Sequence, residues 1–325
     1  MGSGATTAGL PGIVRGHAVV EAAMTPASVT IITVLYNSAE QLPAFVASLA
    51  GQTLRDWRLI AIDNASRDGS RGLVAAMNDP RVSIIDNPTN LGFARAVNQG
   101  LRAAVQADAP LVLLMNNDTV FAPEFLATLL ATRAQLDAAA LTPRIMSIGD
   151  PNEAWYAGGH LDFDWVFRNV HETYDGPEAV ASRQVDFASF CCLLLTRTVL
   201  EQIGLLDERF FVYWEDTDFC LRLKQKAIPI AYVPGLVLHH EGAASSGGDF
   251  SPHYIRLYYR SYIQLLRKHF GMAVALRSGI RILMKEAGRR GRDLRQVART
   301  GAAMSRGVVA WPRRTPPLSP AHTPG

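Results

Sequence analysis

Amide and carboxylate side chains follow four apolar runs of this chain, at the point where each run ends. They are Asn37, Asp63 with Asn64, Asp86 with Asn87, and Asn116 to Asp118. Asparagine and aspartate also favour turns for local reasons, so a single such residue would indicate only a turn. Four polar strand ends together favour a ligand site. Oxygen donors of this kind suit a hard divalent cation that bridges phosphate oxygens.

The apolar runs predict the strands of a parallel sheet, because they are continuous rather than alternating, which is typical of strands covered on both faces. The runs are VTIITVLY (29–36), WRLIAID (57–63), RVSIID (81–86) and LVLLM (111–115). Helical patterns lie between them over 43–51, 70–77 and 92–105. This alternation predicts βαβ units and an α/β fold, in which ligands bind beyond the carboxyl ends of the strands. The polar strand ends are therefore expected at one edge of the sheet.

Two further groups could carry chemistry. Glu215, Asp216 and Asp218 lie in WEDTDF, just before a predicted helix, and His239 and His240 end the apolar run PIAYVPGLVLHH (229–240). Acids in this position either stabilise a helix N-terminus through its dipole or serve as a general base. No glycine-rich dinucleotide loop, P-loop or GxSxG sequence occurs, so the sequence lacks the phosphate cradle or nucleophile of those enzyme classes.

Six segments, in order and spacing, resemble the inverting family 2 glycosyltransferases of the GT-A fold, and the rhamnosyltransferase-like bacterial members in particular. The segments are TVLYNSAEQL, AIDNASRDGS, NPTNLGFARAVNQG, LLMNNDTVF, GLLDERFFVYWEDTDFCLRL and HHEGAASSG. The resemblance covers residues 29 to about 270. It implies a three-layer α/β/α sandwich with a mainly parallel central sheet, to which this chain adds a C-terminal helical appendage.

The resemblance also implies which side chains form the donor and metal sites. The nucleotide-sugar contacts would be Tyr36, Asn37, Asp63, Asn90, Gly92, Arg95, Asn116 and Asn117. Asp63 would hydrogen-bond a pyrimidine base, and Asp118 would bind Mn²⁺ or Mg²⁺ on the diphosphate. The triplet NND departs from the D-x-D pattern because it has one carboxylate, so metal affinity should be weaker unless another ligand helps. His240 matches the histidine that reaches the ion, with His239 as the alternative, since neighbours on an extended segment point in opposite directions.

For the chemical step, the resemblance implies Asp216 as the base that deprotonates the acceptor hydroxyl, with Glu215 as its neighbour and Asp218 oriented elsewhere. We expect the adjacent carboxylates to raise one another's pKa. An aromatic group, Phe210, Phe211, Tyr213 and Trp214, precedes these acids; it either packs the loop against the sheet or forms a stacking wall for a sugar ring. Asp207 and Glu208 read as loop-capping residues, and Arg209 as a residue able to pair with the diphosphate.

We therefore expect a metal-dependent inverting hexosyltransferase. It would transfer a sugar, for which the family likeness suggests rhamnose, from a nucleoside-diphosphate donor to a hydroxyl of a glycan or lipid-linked acceptor in cell-surface polysaccharide synthesis. A sugar-phosphate nucleotidyltransferase would need a glycine-rich loop and a basic residue after the first strand, where this chain has YNSAEQL. The other alternative is a catalytically silent nucleotide-sugar or glycan-binding module of the same fold, which would bind a donor without turnover.

Four regions are expected along the chain. They are a disordered N-terminal extension over 1–27, the GT-A glycosyltransferase domain over 28–250, a basic amphipathic helical region over 251–305, and a disordered Pro-rich tail over 306–325. The helical region shows aromatic residues and leucines on one side and arginines on the other in YIRLYYRSYIQLLRKHF.

Charge is unevenly distributed between these regions. Residues 255–325 hold fifteen Lys and Arg against Glu286 and Asp293, a balance of +13; because the whole chain carries +3, residues 1–254 carry −10. A basic helical region could make peripheral contact with an anionic membrane, bind an anionic acceptor or mediate homo-oligomerisation, and a solvated helix face is the ordinary alternative. No nucleic-acid reading motif accompanies it, so we expect no nucleic-acid partner.

The cellular setting is expected from absences in the sequence. No apolar run reaches eighteen residues, and no secretory signal pattern precedes Met24. Cys191, Cys192 and Cys220 have neither metal-binding nor disulfide spacing, so they read as core thiols in a reducing compartment. We expect a cytoplasmic protein that could lie at the inner face of the membrane.

Overall fold

A computed structural model describes residues 28–149, 154–163, 166–173, 181–241, 251–288 and 294–309 of the chain. The strands are β1 (Val29–Leu35), β2 (Trp57–Asp63), β3 (Val82–Asp86), β4 (Leu111–Met115), β5 (Thr119–Phe121), β6 (Ala140–Ser147), β7 (Ala154–Tyr156), β8 (Gly159–Asp162), β9 (Arg168–His171), β10 (Arg183–Val185), β11 (Cys192–Thr196) and β12 (Ile230–His240). The helices are α1 (Leu42–Ala50), α2 (Ser70–Ala75), α3 (Phe93–Gln106), α4 (Phe125–Leu136), α5 (Arg197–Ile203), α6 (Glu215–Gln225), α7 (Pro252–Phe270), α8 (Met272–Gly288) and α9 (Leu294–Val309).

A mixed sheet with a parallel half forms the centre of the molecule. Its strand order is β10-β12-β6-β11-β4-β1-β2-β3, with β5 and β7 attached to β12 and β6. Strands β4, β1, β2 and β3 run parallel, as do β6 and β12, whereas β11 is antiparallel to both β4 and β6. The predicted α/β class with a mainly parallel central sheet is confirmed.

The strands of the parallel half are buried at the centre of the molecule because their side chains are apolar on both faces of the sheet. Nearly every residue of β1 and β2 is buried, and α3 packs against both strands. The register aligns the strand ends, since Leu35 lies opposite Asp63 and Asp63 lies opposite Asp86. The polar residues that follow these strands therefore share one edge of the sheet, as the sequence predicted.

The C-terminal helices pack on the α/β part through a second hydrophobic cluster. Helix α7 begins at Ser251, whose hydroxyl accepts a hydrogen bond from the backbone N–H of Tyr254, with Pro252 in the first turn. The cluster joins residues of both parts: Phe167, Phe210, Trp214, Leu221, Tyr262, Ile263, Leu265, Leu266, Ala275 and Met304. This burial makes α7 a neighbour of α6.

Several boundaries lie near or beyond the described residues. The helical region, expected to end at 305, continues to Val309. The expected N-terminal extension over 1–27 and the tail from 310 onward lie outside the described residues, as do 242–250. Among the helices that the structure describes, none combines the length and the apolar character needed to cross a bilayer. Cys191, Cys192 and Cys220 are free thiols, and all three are buried.

Candidate active site

Strand β5 and the end of β12 bring an aspartate and a histidine together at the sheet edge. His240 pairs with Thr119 across an antiparallel ladder, and the backbone N–H of Glu241 donates to the carbonyl oxygen of Asp118 at 3.1 Å. This register places Nε2 of His240 3.1 Å from Oδ1 of Asp118, and both side chains are largely shielded from solvent. The structure therefore brings together the two residues that the resemblance implies as metal ligands.

The Asp118–His240 pair has the spacing of two ligands on one cation. Two ligands at right angles, each about 2.1 Å from an octahedral Mg²⁺, stand about 3 Å apart. Oδ1 of Asp118 is buried, and apart from the ion pair with Nε2 of His240 it has no hydrogen-bond partner in the part of the chain that the structure describes. Within the same residues, no group of three or more His, Cys, Asp or Glu side chains is placed to hold a metal. Two protein ligands would thus leave the other positions to phosphate oxygens and water.

His240 is held in place by its neighbours on the sheet. Trp155 contacts it edge to face, with ring centroids 4.7 Å apart. Burial opposes its charged form, whereas Cys191 and Asp118 favour it, and the pKa of His240 rises to about 11. A cation that takes both side chains as ligands must therefore displace a proton from His240. His239 is more exposed and pairs with Val120, so the neighbour that reaches Asp118 is His240.

Asp63, the residue expected to meet a nucleobase, has an unused acceptor. Its side chain is buried, and Oδ2 accepts a hydrogen bond from the backbone N–H of Ser66 at 3.2 Å. Oδ1 is also buried, yet it has no hydrogen-bond partner among the described residues. A buried carboxylate oxygen left without a donor is unfavourable. The imide N–H of a pyrimidine base is a donor that would satisfy it.

Amide side chains build the turn that follows β3. The side-chain amide of Asn64 donates to Oδ1 of Asn90 at 2.8 Å, and the backbone N–H of Gly92 donates to the same oxygen at 2.8 Å. Oδ1 of Asn64 accepts in turn from the backbone N–H of Leu91 at 2.9 Å. The carbonyl end of Asn90 thus holds the turn before α3, and its expected nucleotide contact stays a prediction.

The two asparagines before Asp118 face different ways. Asn117 is buried and donates to the backbone carbonyl of Val34 at 2.8 Å and to Oγ of Ser38 at 2.9 Å, so it fastens the end of β4 to the end of β1. The side-chain nitrogen of Asn116 lies 3.4 Å from Nε2 of His240. Of the pair, Asn116 faces the candidate metal ligands, whereas Asn117 supports the backbone beneath them.

Asn37 and Tyr36 lie at the end of β1. Asn37 adopts a left-handed backbone with φ of 51°. Its Oδ1 accepts from the backbone N–H of Arg67 at 2.8 Å, and its own N–H donates to Oγ of Ser66 at 3.1 Å. Asn37 therefore connects β1 to the loop after β2, while the exposed ring of Tyr36 is available at the edge.

Gly92 and Arg95 make contacts that sequence reasoning did not foresee. A Cβ added at Gly92 would lie 2.6 Å from the Phe211 ring and 2.6 Å from the Phe211 carbonyl oxygen. That oxygen accepts from the backbone N–H of Phe93 at 2.6 Å. Arg95 is half exposed and lies 3.5 Å from Glu208. The glycine thus permits close contact with the loop before α6, and nucleotide contacts from both residues stay predictions.

The first turn of α6 carries Glu215 and Asp216 in a desolvated position. Burial raises the pKa of Asp216 to about 6, although its Oδ1 accepts from the backbone N–H of Thr217 at 2.6 Å. Burial and the neighbouring charge of Asp216 raise the pKa of Glu215 well above its usual range, and Oε2 of Glu215 makes no hydrogen bond with a described residue. The two residues before them, Tyr213 and Trp214, both have left-handed backbones, with φ of 67° and 69°. Such strain is typical of functional sites.

Asp218 differs from its two neighbours. It is fully buried, and its carboxylate meets Lys268 at 2.5 Å, His269 at 2.7 Å and Arg222 at 3.0 Å. Despite burial, hydrogen bonding to His269 and the charges of Arg222 and Lys268 hold the pKa of Asp218 far below its usual value. The expectation that all three carboxylates raise one another's pKa is therefore wrong for Asp218, whereas its expected orientation away from the others agrees with these contacts.

The loop before α6 divides its aromatic residues between packing and exposure. Phe210 and Trp214 are buried in the second hydrophobic cluster, which is the packing role. Tyr213 is half buried and contacts Tyr254 of α7, with ring centroids 5.1 Å apart. Arg209, which the sequence offered for the diphosphate, is partly shielded from solvent and paired with Asp207, with Nε 2.7 Å from Oδ1.

Sequence reasoning missed the contribution of α7. Lys268 bridges Asp218 and Asp207, at 2.5 Å and 2.8 Å. Tyr254 and Tyr258 stack with centroids 5.1 Å apart and rings inclined by 18°. The i, i+4 spacing of these tyrosines on an amphipathic helix was the available signal, but nothing in the sequence shows which surface the helix meets.

Comparisons with known proteins agree with this architecture. The profile of the family described as Glycosyl transferase family 2 matches residues 30–204, more than half of the chain. The N-acetylglucosaminyl-diphospho-decaprenol L-rhamnosyltransferase of Mycobacterium tuberculosis (strain CDC 1551 / Oshkosh) is 29% identical over 267 residues, covering 74% of this chain and 85% of that protein. The dTDP-rhamnosyl transferase RfbF of Shigella flexneri is 22% identical over 255 residues, covering 76% and 82%.

Among solved structures, GalNAc-T7 with UDP, GalNAc and Mn²⁺ superposes with a TM-score of 0.62 at 15% identity. The match covers 86% of this chain and 54% of that one, and at this identity it bears on the fold alone. The expected α/β architecture and the family resemblance are both confirmed. The chain belongs to glycosyl transferase family 2 and is a glycosyltransferase with the GT-A fold.

Proposed function

We propose that this protein is a metal-dependent inverting glycosyltransferase that transfers rhamnose from a pyrimidine nucleoside-diphosphate donor to a hydroxyl of a lipid-linked glycan in cell-surface polysaccharide synthesis. The observation that carries the proposal is the Asp118–His240 pair, which has the spacing of two ligands on one cation at the sheet edge. We propose rhamnose and a lipid-linked acceptor because of the names of two relatives. One is a dTDP-rhamnosyl transferase, and the other is an N-acetylglucosaminyl-diphospho-decaprenol L-rhamnosyltransferase.

On the donor side, the pyrimidine base reaches Asp63. Its buried Oδ1, which has no hydrogen-bond partner among the described residues, accepts the imide N–H of thymine or uracil. The ring of Tyr36, exposed at the adjacent end of β1, contacts the nucleoside. These contacts orient the donor with its diphosphate toward Asp118.

Asp118 and His240 would hold the cation, and Asn116 flanks the pair. When bound, Mn²⁺ or Mg²⁺ supplies positive charge to the diphosphate as it leaves. The single carboxylate of this pair and the proton on His240 both weaken affinity relative to a site with two acids. The donor's phosphate oxygens would therefore have to contribute to holding the ion.

Asp216 accepts the proton of the acceptor hydroxyl. The hydroxyl oxygen forms a bond to the anomeric carbon as the bond from that carbon to the diphosphate oxygen breaks, so the configuration inverts. The pKa of about 6 keeps Asp216 deprotonated at neutral pH yet more basic than an ordinary aspartate. The backbone N–H of Thr217, 2.6 Å from Oδ1, fixes the carboxylate during this step.

The acceptor side is formed by tyrosines from two elements. Tyr213 precedes the acids, and Tyr254 and Tyr258 stack beside it on α7. Burial raises the pKa of Tyr258 well above its usual value, and Asp216 is among the charges that add to this effect. The half-buried tyrosine faces thus lie near the base and suit a sugar ring.

Substitution Tyr254→Ala should raise the acceptor KM with little change in kcat, and Tyr254→Phe should return the acceptor KM to the wild-type value.

The experiment that tests the proposal compares Asp118→Ala with Asp86→Ala. Both aspartates lie at the same sheet edge, but Asp86 is exposed and pairs with Arg71 rather than with the candidate site. Asp118→Ala should lose metal-dependent transfer from dTDP-rhamnose to a polyprenyl-diphosphate-linked N-acetylglucosamine, while its circular dichroism spectrum shows that the protein stays folded. Asp86→Ala should keep both.

The outcome also separates an enzyme from a silent binding module. A thermal-shift series with dTDP-rhamnose, with and without Mn²⁺, reports donor binding independently of turnover. Full transfer activity in Asp118→Ala would remove the metal assignment. Donor binding by the wild type, with no transfer to any lipid-linked acceptor and no inversion product, would leave only the binding module.

A further inference from the structure

Helix α8 presents a row of exposed apolar side chains to solvent. Met272, Leu276, Ile280 and Met284 are 37%, 48%, 59% and 68% exposed, in that order. Exposed large hydrophobic side chains are ordinary when single, but a contiguous row marks an interaction surface. Exposure rises steadily along the row, so its C-terminal end projects furthest from the protein.

The helical repeat rotates this row progressively away from the packed side of α8, in agreement with the rising exposure from Met272 to Met284. Residues four apart on an α-helix are offset by about 40° around the axis, so the four side chains form one stripe. Ala275, Ser278 and Gly279 are buried on the other side. A Cβ at Gly279 would meet Ile263 at 3.5 Å and Met304 at 3.6 Å, which shows that this side packs against α7 and α9. The stripe therefore plays no part in the core.

Basic side chains border the stripe. Arg277 and Lys285 are exposed on α8, beside the apolar residues in the helical repeat. The segment from residue 255 onward carries fifteen Lys and Arg against two acids. An apolar row with an adjoining basic row is the pattern of a helix that lies in the plane of an anionic membrane.

We propose that α8 docks this protein on the surface of an anionic bilayer. The docking face consists of Met272, Leu276, Ile280 and Met284, which enter the headgroup region, and of Arg277 and Lys285, which contact acidic lipid headgroups. The helix lies parallel to the membrane. This contact goes beyond the proposed reaction and does not depend on it.

Charge and area favour a bilayer over a second copy of the chain as the occupant. A two-fold contact through α8 brings the same patch of each copy together, so Arg277 and Lys285 of each copy would lie near those of the other. A stable protein interface buries roughly 800 Å² on each partner, more than one row of four side chains supplies. An anionic surface, in contrast, attracts the basic row and accepts the apolar one.

The test uses the full-length protein in flotation with two kinds of vesicle, pure phosphatidylcholine and phosphatidylcholine with about 30% phosphatidylglycerol. The variant Leu276→Glu/Ile280→Glu alters the apolar row, and Arg277→Gln/Lys285→Gln alters the basic row. Leu136→Glu on α4 is the matched control, because Leu136 is 41% exposed and lies outside the docking face. Point variants are preferable to removal of α8 and α9, since Ala275 and Met304 belong to the second hydrophobic cluster.

We expect the wild type and Leu136→Glu to float with the acidic vesicles, and less so at high salt. The apolar-row variant should bind these vesicles at least tenfold more weakly, and the basic-row variant should lose the preference for acidic lipid. Equal flotation of the apolar-row variant and the wild type would overturn the proposal. A wild type that binds neither kind of vesicle would also overturn it. The same holds if the wild type is a dimer that dissociates in the apolar-row variant, because the row would then join two copies of the chain.

Nucleotide binding by the same variants separates this proposal from the proposed function. Retained donor binding with lost vesicle binding shows that the docking face acts on the membrane contact alone. An absence of transfer activity in the wild type would count against the reaction, and vesicle binding would still be decided by flotation.

Discussion

Carboxylates two residues apart in α6 have opposite properties because different neighbours surround them. Burial is the main influence on Asp216 and raises its pKa to about 6. Asp218, though fully buried, faces Lys268, Arg222 and His269, and its pKa falls far below the usual value. One residue is thereby suited to accept a proton and the other to hold a helix in place.

The raised pKa of Asp216 predicts how transfer depends on pH. A base must be deprotonated to act, and a carboxylate with a pKa near 6 becomes protonated as the pH falls below that value. We expect kcat/KM for transfer to rise about tenfold per pH unit up to about pH 6 and to level off above it. Asp216→Asn should lose about 10² to 10⁴ in kcat at pH 7.5.

A pH–rate profile of the wild type, with Glu215→Gln as the comparison, checks this prediction. A kcat/KM that stays flat from pH 5 to pH 7 would contradict Asp216 as the base. A midpoint that moves in Glu215→Gln is expected, because the two carboxylates interact.

The buried Oδ1 of Asp63, which has no hydrogen-bond partner among the described residues, predicts which nucleobase the protein prefers. Asp63→Asn replaces an ionised acceptor with a weaker neutral one, so the charge-assisted hydrogen bond to a pyrimidine imide is lost. We expect dTDP and UDP to bind about tenfold more weakly, by calorimetry, with no change for ADP. Asp86→Asn, at the same sheet edge, serves as the control and should bind all three nucleotides as the wild type does. Unchanged dTDP affinity in Asp63→Asn would place the base elsewhere.

The residue types at the strand ends were readable from the sequence, but their directions were not. Asp63, Asn116, Asp118 and His240 follow or end apolar runs, and the sheet rule brings those ends together. Asn117 points to Val34 and Ser38 because side chains alternate along an extended segment, and one residue of register decides which neighbour faces the site. The pairing of His240 with Thr119 depends on contacts between segments far apart in the chain.

At the scale of elements, the loop before α6 is positioned by its contact with the N-terminus of α3. Phe211 packs on Gly92 and accepts a hydrogen bond from Phe93. The left-handed residues Tyr213 and Trp214 follow, and they turn the chain into the first turn of α6. The turn before α3 and the acids of α6 are thus coupled through backbone contacts rather than through side chains alone.

Gly92→Ala should disturb that coupling. The new Cβ would meet the Phe211 backbone and ring at 2.6 Å, and φ of 86° is itself unfavourable for alanine. We expect the loop to shift and kcat to fall at least tenfold, with about 1–3 kcal/mol lost in the free energy of unfolding. Gly204→Ala is the matched control, because Gly204 has φ of 79° but nothing within 4 Å of an added Cβ.

Assays of kcat and of urea unfolding on both variants show whether an effect comes from the left-handed backbone, which both glycines share, or from the contact with Phe211, which only Gly92 makes. If Gly204→Ala and Gly92→Ala lose equal stability and both retain full activity, the contact with Phe211 has no role in the site. A loss of kcat confined to Gly92→Ala supports it.

The parallel strands were the most predictable elements, since β1, β2, β3 and β4 lie within a residue or two of the apolar runs. Continuous burial on both faces gives such strands a local signature. The antiparallel insertion of β11 between β4 and β6 has none, because its place in the sheet is set by pairing with strands distant in sequence. The surface that α7 covers was unreadable for the same reason.

At the scale of the whole molecule, the C-terminal helices are tied to the catalytic part by charge as well as by the second hydrophobic cluster. Lys268 of α7 bridges Asp218 of α6 and Asp207 of the preceding loop, and Oγ of Ser261 donates to the Val212 carbonyl at 2.9 Å. These contacts place α7 directly behind the residues that would deprotonate the acceptor. We infer that α7 and the α/β part unfold together.

Lys268→Met tests this connection. The substitution removes one cation from two buried carboxylates, Asp218 and Asp207. Because Arg222 and His269 still pair with Asp218, and Arg209 with Asp207, we expect a partial loss of about 2 kcal/mol in stability to urea at pH 7. Lys285→Met is the control, since Lys285 is exposed on α8, and its effect should stay within about 0.5 kcal/mol. Both replacements remove one positive charge from the same helical region, so the difference between them isolates the contacts of Lys268.

The effect of Lys268→Met should itself depend on pH. Because the folded-state pKa of Asp218 is depressed, its ion pairs contribute stability above the unfolded-state pKa of about 4, and this contribution is lost as the pH falls toward the folded-state value. The stability difference between wild type and variant should therefore be largest near pH 7 and shrink below pH 4.

Unfolding followed by tryptophan fluorescence and by far-ultraviolet circular dichroism should give coincident transitions in the wild type. Separate transitions for the two probes, or equal stability of Lys268→Met and Lys285→Met, would show that α7 is held independently of the catalytic part.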